Sequence, residues 1–148
     1  DLIRLPLPEA LHVVVVTPRF SLSTKAAREV VPTEVPLSSL VRNTANMAAL
    51  VSACYAGDMA LMARCITDEI GPARAALIPG CNEVIAAALQ AGALGSSISG
   101  AGPSIFALCR SARSAVECAA AMGAAFVDHD LESQTVISPG EAPGARRA

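Results

Sequence analysis

Ten residues constrain this chain more than any others. Gly95, Ser96, Ser97, Ile98, Ser99, Gly100, Ala101, Gly102, Pro103 and Ser104 lie where apolar residues 91–98 meet apolar residues 105–108. A glycine- and serine-rich stretch in that setting is a loop between two buried elements. Glycines at 100 and 102 let the backbone take positive φ and keep side chains off the loop, so a ligand can reach the main-chain amides. Ser97, Ser99 and Ser104 add hydroxyls at the same place. A phosphate or carboxylate would find donors there if the amides converge and a basic side chain is near. The plain alternative is a turn that only joins two strands.

The rest of the chain sets limits around that loop. With 148 residues, 53% of them apolar, one substantial core can form, so the chain is one domain or part of one. A net charge of −2 and 3% aromatic residues supply neither the basic footprint nor the stacking surfaces of a nucleic-acid binder. No apolar segment approaches the roughly 20 residues that a membrane helix needs, and no cleavable signal pattern opens the sequence. Cys54, Cys65, Cys81, Cys109 and Cys118 have no metal-ligand or close-pair spacing and sit mostly among apolar residues. They read as small buried side chains, and the expectation is a soluble, cytoplasmic protein without a structural disulfide.

Local patterns give the order of elements. His12 and the valines at 13–16 form a β-branched run without polar alternation, which predicts a strand over 11–17 that is covered on both faces or central in its sheet. Pro18 ends it. Ser21 or Ser23 can cap a short helix from Thr24 to about Val31, stopped by Pro32. A linker at 33–36 leads to a helical period from Ser38, with Leu40, Ala48, Leu50, Val51, Cys54 and Tyr55 on one face and a stop at Gly57. Asp58 can cap the next helix, which the pattern closes near Gly71 and Pro72, with Asp68 and Glu69 solvated at its end. A short bridge at 74–78 precedes a helix over 82–91. Strands are expected at 93–98 and 104–109, then a helix capped by Ser111 through Met122, and a last strand within 126–137 that the Asp128–Asp130 region interrupts. Met47, Met59, Met62 and Met122 read as core packing. His12 and His129 have no sequence partners that would make a metal site.

This order reduces to an α+β fold: a ferredoxin-like split βαβ antiparallel sheet with a helical insertion after the first strand, and helices on one face. Residues 1–10 read as an interdomain linker and 11–148 as the domain. The abrupt start, without methionine, reads as the latter part of a longer protein.

At this point the residues carry a resemblance. Ser97 to Ser104, backed by Ile105, Phe106, Ala107 and Leu108, resembles the third conserved motif of the GHMP small-molecule kinase superfamily, in its C-terminal domain. Ser23, Thr24, Lys25, Ala26, Ala27 and Arg28, followed by Val30, Val31 and Pro32, is similar to a segment of the homoserine kinase branch. So is Pro72, Ala73 and Arg74 with Leu77, Ile78, Pro79 and Gly80, and so, more weakly, is the tail Gly144, Ala145, Arg146.

The resemblance implies a C-terminal, substrate-binding half of an enzyme that moves the γ-phosphoryl group of ATP to L-homoserine. Thr24, Arg28, Arg74 and Gly100 are then substrate-binding residues, with the two arginines as a carboxylate clamp. Thr24 and Arg28, four residues apart, share one helix face. Ser97, Ser99, Gly100, Ala101, Gly102 and Ser104 form the motif loop, which would position rather than react. Without the resemblance, Thr24 would read as a helix cap and each arginine as a solvated charge.

The family's ATP-cradling Gly-Leu-Gly-Ser-Ser run has no counterpart here, and Lys25 is the chain's single lysine, so no Walker-type loop replaces it. ATP and Mg2+ are therefore expected from the chain's own N-terminal domain, outside this sequence. The isolated chain should be inactive, and no catalytic residue or metal ligand is expected in it. A homodimer through the helical insert is a further implication. Two other readings stay open: another GHMP kinase, of the mevalonate-pathway or sugar type, and a non-catalytic ferredoxin-like ligand-binding module.

Overall fold

The structure is a computed structural model that describes residues 3–67 and 71–142. The expectations for Asp68 and Glu69 and for the 144–146 tail lie outside the described residues. Among the described residues the chain forms β1 (His12–Pro18), α1 (Thr24–Glu29), α2 (Leu37–Ala56), α3 (Met59–Cys65), α4 (Pro72–Ala75), α5 (Cys81–Gln90), β2 (Gly95–Ile98), β3 (Ile105–Cys109), α6 (Ala112–Val127) and β4 (Ser133–Pro139). The strands make one sheet in the order β2-β3-β1-β4, with every neighbour antiparallel. This is the expected split arrangement: β3 sits between β1 and β2, and β1 sits between β3 and β4.

Local chemistry sets most element ends. The Ser23 hydroxyl accepts from the Ala26 amide to cap α1, and the Asp58 carboxylate accepts from the Leu61 amide to cap α3. Gly57 ends α2 in the left-handed conformation, at φ +66°. Ser111 and Ser114 bond reciprocally in a capping box at the start of α6.

β1 is central, but only one of its faces is fully covered. Val14 and Val16 are buried on the side that receives α5 and α6, whereas Val13 and Val15 are half-buried on the other. The main core joins Val14, Val16, Ile105 and Cys109 to Val84, Ala88, Cys118, Met122 and Phe126. A smaller cluster of Ala53, Cys54 and Met62 lies in the α2–α3 hairpin, with Leu5 and Leu7 packed against it.

Four expectations need correction. Phe126 is not in the last strand: it falls one turn after Met122 on the core face of α6, so burial extends the helix to Val127. Asp130, at φ +58°, then turns the chain, and β4 starts at Ser133. α3 stops at Cys65 rather than near Gly71, because Ile66 leaves helical geometry and its side chain packs onto Gly95 so closely that a Cβ there would overlap it. Helices do not occupy one face alone, since the α2–α3 hairpin approaches the opposite face at the β2 edge and forms a cleft of about 300 Å³ lined by Asn46, Met47, Leu50, Ile66, Ser97 and Phe106. Met47 is 63% exposed, so it is not core packing.

Candidate active site

Three segments distant in sequence meet at one guanidinium. Arg74, in the single turn of α4, donates from Nε to the Ala27 carbonyl at 3.1 Å and from Nη1 to the Gly100 carbonyl at 3.2 Å. The first acceptor belongs to α1 and lies one residue before Arg28. The second is in the glycine-rich loop between β2 and β3. Arg74 is half-buried there, while Thr24 and Arg28 are exposed on α1. Ser23 is the helix cap, so Thr24 is not needed as one. The Arg28 guanidinium makes no hydrogen bond or ion pair among the described residues, whereas the neighbouring Lys25 lies 3.8 Å from Glu29 in a well-solvated pair. Such exposed pairs contribute little to stability.

The loop is tightly built. The Ser99 amide donates to the Ser104 carbonyl and the Gly102 amide to the Ser99 carbonyl. Both amides are therefore committed inside the turn. The Gly100 and Ala101 amides donate to no backbone carbonyl among the described residues. Gly100 and Gly102 have φ of +61° and +83°, and the Gly102–Pro103 bond is cis. The two glycines serve different needs. A Cβ at Gly102 would press on Ile78 and touch Leu22 and Ile98, while one at Gly100 would meet open space. Gly102 lets the loop sit on the core, and Gly100 supplies the turn at its exposed apex.

The serines separate. The Ser104 hydroxyl is 2.8 Å from that of Thr17 on β1, which ties the end of the loop to the central strand. Ser96 donates to the Phe106 carbonyl. The Ser97 hydroxyl makes none of these bonds, and Ser97 lines the cleft beside α2. Thr17, the Ala27 carbonyl and the Leu22–Ile78 seat under Gly102 were not singled out from the sequence. Only Thr17, a hydroxyl at the end of a buried apolar strand, carries a residue-type signal.

The thiols give the site no nucleophile. All five cysteines are buried. Burial, reinforced by a hydrogen bond with Cys118, pushes the Cys109 thiol up to about 12, and burial next to Glu83 pushes Cys81 up to about 11. Burial also raises Cys54. These thiols stay protonated near neutral pH. Among the described residues no group of three or more His, Cys, Asp or Glu side chains could hold a metal ion. Among them also, no helix is long and apolar enough to cross a membrane.

The four-stranded split sheet with its glycine-rich β2–β3 loop is matched by one class of proteins. The family described as GHMP kinases C terminal matches residues 50–128, and the chain belongs to it. Within that class the chain is similar to the homoserine kinase of Chlorobium phaeovibrioides, at 45% identity over 99% of this chain and 47% of that protein. The crystal structure of homoserine kinase from Cytophaga hutchinsonii superposes with a TM-score of 0.91 and 40% identity, over 93% of this chain and 44% of that one. L. major mevalonate kinase, solved in complex with R-mevalonate, shares the fold at a TM-score of 0.61 and 18% identity, over 89% of this chain and 44% of that one. The chain thus spans less than half the length of the homoserine kinases it matches.

Proposed function

We propose that this chain is the substrate-binding half of a homoserine kinase, which transfers the γ-phosphoryl group of ATP to the side-chain hydroxyl of L-homoserine and yields O-phospho-L-homoserine. The observation that carries the reading is Arg74, whose guanidinium joins the segment bearing Thr24 and Arg28 to the glycine-rich loop. The similarity to homoserine kinases over 99% of the chain supports the choice of substrate.

L-Homoserine is a zwitterion with a terminal hydroxyl. Its carboxylate needs planar cationic donors, and Arg28 with the remaining N–H groups of Arg74 supplies them. Thr24, one turn before Arg28, offers a hydroxyl on the same helix face. Gly100 and Ala101 present amides at the loop apex, while Ser99, Gly102 and Ser104 hold the loop in shape. Ser97, from the cleft side, supports β2. These residues bind and orient; the phosphoryl transfer itself is driven mainly by positioning and charge stabilisation.

The similarity to homoserine kinases supports ATP as the phosphoryl donor, and in this reading ATP and Mg2+ are bound mainly by an N-terminal domain outside this sequence. Residues 1–10 connect to that domain and residues 11–148 form the substrate domain. The assembled protein is a cytoplasmic enzyme, and α2 is the surface through which a homodimer would form.

The test is ATP-dependent phosphorylation of L-homoserine by the protein carrying both halves, by its Arg28→Ala and Arg74→Ala variants and by this chain alone. Activity in the parent, a loss of about 10²-fold or more in kcat/KM for each variant and none in the isolated chain is the expected pattern. A parent that does not phosphorylate homoserine, or one indifferent to both arginines, overturns the reading.

A further inference from the structure

Arg74 has more bonding than a substrate ligand needs. α1 is six residues long, and its last carbonyls have no helical partners of their own. The Val31 amide turns to the Arg28 carbonyl, which leaves that of Ala27 to the Arg74 Nε. At the other side, the positive φ of Gly100 sets the apex carbonyl that receives Nη1. We propose that Arg74 is a positioning residue as well as a substrate ligand: it latches α1 to the apex of the glycine-rich loop and thereby places Arg28.

The side-chain chemistry explains why arginine occupies this position. A guanidinium has five N–H groups in a rigid plane. Two are used by the carbonyls, and both N–H groups of Nη2 and one of Nη1 remain for a carboxylate. An ammonium cannot bridge two carbonyls and still present two parallel donors, so lysine is not a conservative replacement here. Gly100 is the latch's second component. A Cβ there meets nothing within 4 Å, so its requirement is conformational, and asparagine, which tolerates the left-handed region, should satisfy it where valine does not.

The kinetic side of this proposal rests on the homoserine reading, but the latch itself does not. Hydrogen exchange is therefore measured without substrate, in the protein carrying both halves, over peptides spanning 24–30 and 98–104. Arg74→Lys and Gly100→Val each speed exchange in both stretches by about tenfold, and Gly100→Asn leaves them near the parent. In the kinetic arm, Arg28→Ala in the Arg74→Ala background raises the KM for L-homoserine by less than about threefold, because Arg28 is already displaced. Arg74→Lys leaving either stretch unchanged overturns the latch, as do arginine losses that multiply fully. If Gly100→Val fails to fold, Arg74→Lys and Gly100→Asn still decide. Faster exchange in both stretches without homoserine turnover upholds the latch and rejects only the substrate assignment.

Discussion

The two faces of the sheet are built from the same strands and meet different fates. Toward α5 and α6, Val14, Val16, Ile105, Ala107 and Cys109 are fully buried against Cys118, Met122 and Phe126. On the opposite face Val13, Val15, Phe106 and Leu108 are half-buried and Val136 is 54% exposed. α2, which lines the cleft on that face, leaves Leu37, Leu40, Val41 and Met47 largely in solvent. Neighbouring valines of one strand thus differ in burial because of which helices return over them, and residue type has little to do with it. The packed face determines the fold. The open face keeps part of its apolar surface in solvent.

The two faces should differ most in Phe126→Ala against Val136→Ala. Emptying the packed face should cost about 3–5 kcal/mol, and trimming the open one less than about 1 kcal/mol, by equilibrium denaturation. Equal losses would mean that the faces are energetically alike. Gly80, at the start of α5, is a second tightly packed position. It has φ +74° and lies so close to the His129 ring that a Cβ would overlap it, whereas Gly92, at φ +92°, faces open space. Gly80→Ala should therefore cost more than Gly92→Ala, whose loss is conformational and about 1 kcal/mol.

The packed face also has a pH signature. Cys81 and Cys109 titrate well above their ordinary value of 9.0, at about 11 and about 12. The unfolded thiols ionise first. Stability is therefore complete below pH 9 and falls as pH rises through the folded values, and Cys109→Ala should flatten part of that fall in urea midpoints taken from pH 8 upward. On the exposed side of α2 the smallest stability effect is expected. Leu40→Ser and Val41→Ser should change stability by no more than about 0.5 kcal/mol yet reduce self-association of the isolated chain in sedimentation velocity. A parent chain that is already monodisperse and monomeric contradicts α2 as a surface for self-association.

Much of the fold was legible because local chemistry fixes it. Ser23, Asp58 and Ser111 announced helix starts, Gly57 a stop, and the 12–16 run a central strand. What failed depended on tertiary burial: Phe126 reads as a β-former in isolation but packs from a helix, and Met47 reads as core but lies largely exposed at the edge of a cleft. Of the candidate site, residue types alone picked out the glycine-rich loop, and Arg28 and Arg74 were singled out only through the family resemblance. The bonds were illegible: the Arg74 acceptors are backbone carbonyls, and a carbonyl on Ala27 carries no signature in sequence. Its position 47 residues from Arg74 places it beyond any local pattern.

We propose that Arg28 and Arg74 recognise a substrate carboxylate. The most direct test compares kcat/KM for L-homoserine with that for 3-aminopropan-1-ol, which keeps the hydroxyl and ammonium and lacks the carboxylate, in the protein carrying both halves and in its Arg28→Ala variant. The account predicts that the parent prefers L-homoserine by about 10²-fold or more and that the variant loses at least about tenfold of that preference. A variant that is weaker on both compounds but keeps the parent's preference would contradict it.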